Sequence, residues 1–156
     1  MKDTKIVSAF PACGKSYFHN KYNNSVLTTL DSDSSKFSWL LDSECNSTGV
    51  RNPEFPANYV DHIKSNIGLV DVIFVSSHDE VKKALEEHGL RYILVMPDPR
   101  LMQEWIGRCW LRGSPDSFLN LLHTNWSMWV DPYLEDKWHP TELIWLRSGH
   151  YLSDVL

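Results

Sequence analysis

The residues Ala9-Phe10-Pro11-Ala12-Cys13-Gly14-Lys15-Ser16 carry the types and spacing that hold a polyphosphate, the Walker A pattern GxxxxGK[ST] with alanine at the first glycine position. Each part has a job. Gly14 lets the backbone approach phosphate oxygens closely, and Ala9 is compatible with the pattern as long as it keeps a β-like φ. Successive N–H groups and the start of a helix converge on negative charge. Lys15 would reach the β- and γ-phosphates, and the Ser16 hydroxyl is an oxygen ligand suited to Mg²⁺. Pro11, Ala12, Cys13, Gly14, Lys15, Ser16 and Tyr17 are thus the candidate nucleotide contacts, with Ser16 as the candidate metal ligand.

Other chemistry-bearing residues follow at intervals. In Asp31-Ser32-Asp33-Ser34-Ser35, two carboxylates at i and i+2 suit a division of labour: one takes a proton from an attacking hydroxyl, the other orients substrate or a metal-bound water. Asp31 is the preferred base. The same cluster also suits a solvated turn or a helix cap. Ser76-Ser77-His78-Asp79 stands where an acid linked to the metal is expected, but no apolar run ends in aspartate there, and Asp71 begins its strand instead of ending it. Ser77 and His78 suit ligand contact, and Ser77, His78 or Asp79 equally suits capping of the next helix. Arg108 and Arg112 lie four residues apart, which on a helix puts both guanidinium groups on one face, suited to stabilising a phosphoryl group in transfer or to pairing with Glu104 and Asp116.

Hydrophobic periodicity supplies the elements that must position these groups. Strand signals run over Lys5–Phe10, Ser25–Leu30, Val70–Val75, Arg91–Met96 and Leu143–Arg147. Helical spacing runs over Lys15–Tyr22, Asn58–Ile67, Asp79–His88, Leu101–Trp110 and from Asp116 to about Trp129, while Arg51–Pro56 reads as loop. Alternating strands and helices imply a parallel α/β sheet with helices on both faces, in which ligands bind beyond the carboxyl ends of the strands. The length of 156 residues fits one domain over 1–156.

Composition narrows the setting. The three cysteines are widely spaced and unpaired in motif, so neither a disulfide framework nor a zinc site is expected. The N-terminal stretch lacks the pattern of a secretory signal, and no apolar run is long enough to span a membrane, so a cytoplasmic location is expected. A net charge of −5 argues against a general nucleic-acid clamp and leaves room for a local basic cleft.

The order of these motifs resembles the small phosphate-loop kinases, above all the kinase domains of polynucleotide kinases and phage-type nucleotide kinases. The resemblance spans roughly residues 4–125: strand-GKS-helix, acids after the second strand, a strand ending in Met96-Pro97, then a lid-like segment at about 100–116 bearing Arg108 and Arg112-Gly113. It implies a three-layer P-loop NTPase fold with a mainly parallel five-stranded sheet, and ATP with Mg²⁺ held by Lys15 and Ser16. It further implies Asp31 as general base and Arg112 as the lid arginine, assisted by Arg108.

The expected reaction is transfer of the ATP γ-phosphoryl group to a nucleotide-like acceptor, with a (deoxy)nucleoside monophosphate the leading choice. A hydroxymethylated base or a 5′-hydroxyl in DNA shares the same core, and a nucleotide-binding module without turnover is the reading from another class. Asp33, Ser34, Phe37 and Trp39 are the candidate acceptor contacts, and Phe37, Trp39 and Tyr59 suit either stacking on a base or core packing.

Overall fold

The computed structural model describes residues 1–23 and 27–156. Its main sheet has five strands, β1 (Lys5–Ala9), β2 (Thr29–Asp31), β5 (Val72–Ser76), β6 (Ile93–Pro97) and β7 (Glu142–Leu146), in the order β2-β5-β1-β6-β7. Every neighbouring pair is parallel. The helices between them are α1 (Lys15–Tyr22), α2 (Ser35–Ser38), α3 (Ala57–Asn66), α4 (Asp79–Glu87), α5 (Met102–Leu111) and α6 (Asp116–Trp129), and the short α7 (Leu152–Val155) follows β7. Between α2 and α3, a separate antiparallel hairpin pairs β3 (Trp39–Leu41) with β4 (Ser47–Arg51).

The central strands are apolar almost throughout because helices cover both of their faces. Phe18 of α1 packs edge-on against Phe74 of β5 at 5.3 Å between centroids, so α1 lies on the face that Phe74 shares with its register partner Val7. Phe10 is an odd number of residues beyond Val7 and points the other way. There it meets Trp126 of α6 at 5.9 Å. This is a three-layer α/β arrangement, as the alternating pattern implies. Among the described residues no helix is long and apolar enough to cross a membrane.

Register brings the carboxyl ends of the strands level. Ala9 pairs with Ser76, Asp31 with Phe74 and Pro97 with Leu146, so the loops after β1, β2, β5 and β6 share one edge of the sheet. Some boundaries differ from the periodicity. The strand expected over Val70–Val75 begins at Val72, because the Asp71 carboxylate is drawn to Thr28 and Lys2 at the opposite edge. That confirms Asp71 as a residue of the far end of the sheet. The strand expected from Ser25 reduces to Thr29–Asp31, with Ser25 and Val26 outside the described residues. Arg51, read from sequence as loop, ends β4.

Candidate active site

The β1–α1 loop turns through two left-handed residues, Ala12 at φ 63° and Gly14 at φ 95°. A Cβ at Gly14 would sit 3.2 Å from Tyr151 Cδ1, so the glycine answers to both backbone conformation and packing. The loop's carbonyls are held from behind. Trp105 Nε1 donates to Pro11 O at 3.1 Å, Arg108 Nη1 to Ala12 O at 3.3 Å, and the Leu152 amide to Cys13 O at 2.9 Å. With the carbonyls engaged by α5 and α7, the backbone N–H groups of Ala12, Cys13, Gly14, Lys15, Ser16 and Tyr17 donate to no protein acceptor among the described residues. Such a run of free amides at a helix N-terminus is a nest for an anion.

Lys15 projects beside this nest. Burial pushes its ammonium below the usual lysine range, while the Asp31 and Asp33 carboxylates pull it back up. The Ser16 hydroxyl is exposed and donates to Asp31 Oδ2 at 3.1 Å. Strand β2 ends at Asp31, which is why its carboxylate reaches the loop. Asp33 lies one turn further on, exposed, accepting the Ser35 amide at 2.9 Å. Ser34 is buried and receives the Ser76 hydroxyl at 3.0 Å, tying the end of β2 to the end of β5. Loss of hydration and the positive field of Lys15 push His78 below the usual histidine range, leaving a neutral imidazole at neutral pH. His78 also precedes α4 as its N-cap without a side-chain cap bond, so the capping role that its position suggests is not formed.

Two cavities meet at these residues. One, about 670 Å³, runs from Lys15 and Ser16 past Asp31, Asp33 and Ser34 to Trp39 and Arg51 on the hairpin. The other, about 570 Å³, is lined by Gly14, Tyr17, Arg108 and Tyr151. Lys15, Ser16 and Arg112 line both.

The arginines separate in character. Arg112 is exposed at the end of α5, its Nε 3.3 Å from Ser114 Oγ. Arg108 is almost wholly enclosed, its guanidinium 3.8 Å from the Trp105 ring centroid and 4.0 Å from that of Tyr151, with Glu104 at 2.9 Å. Its side chain is 8% exposed, so it works as a clamp on the loop and not as a free cation.

Of the candidate acceptor contacts, Asp33, Ser34 and Trp39 line the larger cavity and Phe37 does not. Phe37 packs on Tyr59 at 5.2 Å and on His62 at 4.7 Å. Tyr59 is 1% exposed and donates its hydroxyl to Ser32 O, so it is core and cannot stack on a ligand. Sequence reasoning missed Arg51, held between the rings of Trp39 at 5.2 Å and Phe55 at 5.4 Å and paired with Glu80 at 2.9 Å. The polar run Asp42–Asn46 between two short β-compatible stretches was the signal for the hairpin that carries it. Tyr151 and Trp105 were missed as supports of the loop, since neither lies near it in sequence.

Among the described residues no group of three or more His, Cys, Asp or Glu side chains is arranged to hold a metal ion. The hydroxyl of Ser16 and the carboxylate of Asp31 are hard oxygen donors, and Mg²⁺ needs only one or two such ligands beside waters and phosphate oxygens. No family model, curated protein or solved structure matches the chain.

Proposed function

We propose that the chain is an ATP-dependent phosphotransferase of the phosphate-loop kinase type, acting on a nucleotide-like acceptor, with a (deoxy)nucleoside monophosphate as the leading choice. The observation that carries this reading is the sharing of Lys15, Ser16 and Arg112 between two cavities that meet at one anion nest. A transferase that moves a group between two bound molecules needs that arrangement, whereas a nucleotide-binding module needs a single cavity.

In this reading the free amides of Ala12–Tyr17 and the Lys15 ammonium hold the ATP phosphates. The cavity with Tyr17 and Tyr151 takes the rest of the donor. Ser16 and Asp31 would hold Mg²⁺, which supplies neutralisation of phosphate charge when bound. The acceptor enters from the Trp39–Arg51 side. Its oxygen forms a bond to the γ-phosphorus while the bond from that phosphorus to the bridging oxygen breaks and ADP leaves. Where the acceptor oxygen is a hydroxyl, the Asp31 carboxylate takes its proton. Arg112, exposed at the junction, neutralises charge on the group in transfer. Arg108 is a positioning residue that fixes the loop through Ala12 O. A reducing cytoplasm suits the unpaired thiols of Cys13, Cys45 and Cys109.

The deciding experiment incubates the protein with labelled ATP, Mg²⁺ and a panel of nucleosides, nucleoside monophosphates and oligonucleotides with 5′-hydroxyl ends or hydroxymethylated bases. Label is expected on a monophosphate. Lys15→Ala should lower turnover by about 10²–10³-fold, and Asp31→Asn by about 10²–10⁴-fold for a hydroxyl acceptor. ATP binding with no label on any acceptor would end the transferase reading, and label on an oligonucleotide alone would move the acceptor to DNA.

A further inference from the structure

A smaller chamber opens off the Trp39–Arg51 cavity. Pro11, Ser77 and His78 line both, so the two communicate at the carboxyl ends of β1 and β5. The chamber is about 270 Å³ and its apolar walls are Phe10 just after β1, Met96 of β6, and Phe118 and Trp129 of α6. Pockets for drug-sized ligands start at about 300 Å³, so this space suits one ring system and not a run of stacked bases.

Its charged groups come from α4, which follows Ser77 and His78. Lys82 is 2% exposed and lies against the chamber, with its ammonium 3.4 Å from Asp79 Oδ1 and 5.0 Å from the centroid of Trp138. Asp79 is shared, because Lys137 also reaches it, at 3.1 Å. Two ammonium groups thus face one carboxylate. Burial still pushes Lys82 below the usual lysine range, so Asp79 compensates only in part. Glu86, one turn beyond Lys82, accepts from Tyr92 and the His139 amide and adds a weaker negative field at Lys82. An aromatic-walled space with a buried ammonium against it favours a planar ring whose edge offers carbonyl oxygens, since a lysine ammonium only donates.

We propose that this chamber takes the base of the phosphoryl acceptor and favours bases bearing carbonyl oxygens, such as uracil, thymine and guanine, over adenine, which has none. The inference rests on the reading of the Trp39–Arg51 cavity as the acceptor side. The acceptor's sugar then passes between Pro11 and Ser77 toward Lys15, and base recognition falls to α4 and α6 instead of the aromatic residues around Phe37.

Calorimetric titration of the full chain with uridine, thymidine, guanosine, cytidine and adenosine monophosphates, and separately with ATP, tests this. Phe118→Trp fills the chamber, Phe118→Ala removes its outer wall, and Lys82→Met removes the donor while keeping the volume. Circular dichroism checks that each variant folds, and Phe118→Ala carries the test where the tryptophan is not accommodated. The carbonyl-bearing monophosphates should bind wild-type protein most tightly, and each Phe118 variant should weaken them about ten-fold with ATP affinity unchanged. Lys82→Met should erase the preference over adenosine monophosphate. The proposal falls if no monophosphate binds, if the Phe118 variants leave binding unchanged, or if ATP affinity drops by the same factor, which would make the chamber part of the donor site. Chamber-dependent binding without any phosphoryl transfer would end the transferase reading and leave the chamber standing. Transfer with an unchanged acceptor KM in both Phe118 variants would do the reverse.

Discussion

Cys13 stands between Ala12 and Gly14 in the anion nest, yet its side chain has no exposed surface. Burial pushes its thiol up to about 12, against the opposing pull of Lys15 and Arg108. The thiolate is the reactive form, so at neutral pH Cys13 is an inert filler beneath the loop. Cys109 is also buried and pushed up, whereas Cys45 is exposed in the hairpin turn. Iodoacetamide on the native protein at pH 7.5 should therefore alkylate Cys45 alone, with Cys13 and Cys109 reacting only in urea, as read by peptide mass spectrometry. Native labelling of Cys13 as fast as Cys45 would mean that the loop opens. Spacing alone singled out Lys15, Ser16 and Asp31, which the fold brings together, because they belong to the loop itself and to the strand end beside it. It did not separate Phe37 and Tyr59, which pack together, from Trp39, which lines the cleft. Proximity in sequence does not say which side of a segment meets the core.

At the scale of elements, α5 and α7 together build the back of the loop. Arg108 lies between the rings of Trp105 and Tyr151, pairs with Glu104 and donates to Ala12 O, so one side chain joins both helices to the β1–α1 turn. A desolvated cation–π contact is worth about 2 kcal/mol, and Arg108→Met should lower unfolding stability by at least about that much in urea melts. ATP affinity should fall with it. Arg112→Met removes an exposed side chain and should shift stability by less than about 0.5 kcal/mol while lowering turnover. Equal and negligible stability effects would return Arg108 to the role of a free lid cation. Periodicity made α3, α4 and α6 and the buried strands β1, β5 and β6 legible, because each presents an apolar face or run to the core. The hairpin left only its polar turn, Asp42–Asn46, as a signal, and its strands were not legible. All five residues of β4 are exposed, so no alternation of burial had to be written into Ser47–Arg51. The four-residue α7 is too short to show a helical period, and its role comes from Leu152 and Tyr151 meeting the loop.

Across the whole molecule, the sheet separates the edge of the candidate site from the edge where its strands are fastened. The five parallel strands carry the candidate site at their carboxyl ends, while the amino ends are fastened by Asp71. Its carboxylate accepts from the Thr28 amide and hydroxyl, each at 2.8 Å, and from Lys2 Nζ at 2.9 Å, joining the N-terminal segment, the entry to β2 and the entry to β5. Those hydrogen bonds, led by the Thr28 amide, hold the Asp71 carboxyl at about 2 against an ordinary value of 3.8. A carboxyl depressed by folding binds protons more readily in the unfolded chain. Its stabilisation is thus fully present above about pH 4 and lost as pH falls through about 2. Asp98, held at about 2 chiefly by hydrogen bonds from the Arg100 side chain and backbone amide, adds a second contribution in the same window. Asp71→Asn should therefore lower the urea midpoint at pH 7, and the gap from wild type should narrow steadily between pH 4 and pH 2, leaving in the variant the acid dependence that Asp98 supplies. A gap that stayed constant down to pH 2 would show that the charge of Asp71 is not what fastens the strand entries. Because this fastening lies at the edge opposite Lys15, ATP affinity of the folded variant at pH 7 should match wild type, which separates the stability of the sheet from the chemistry at its other end.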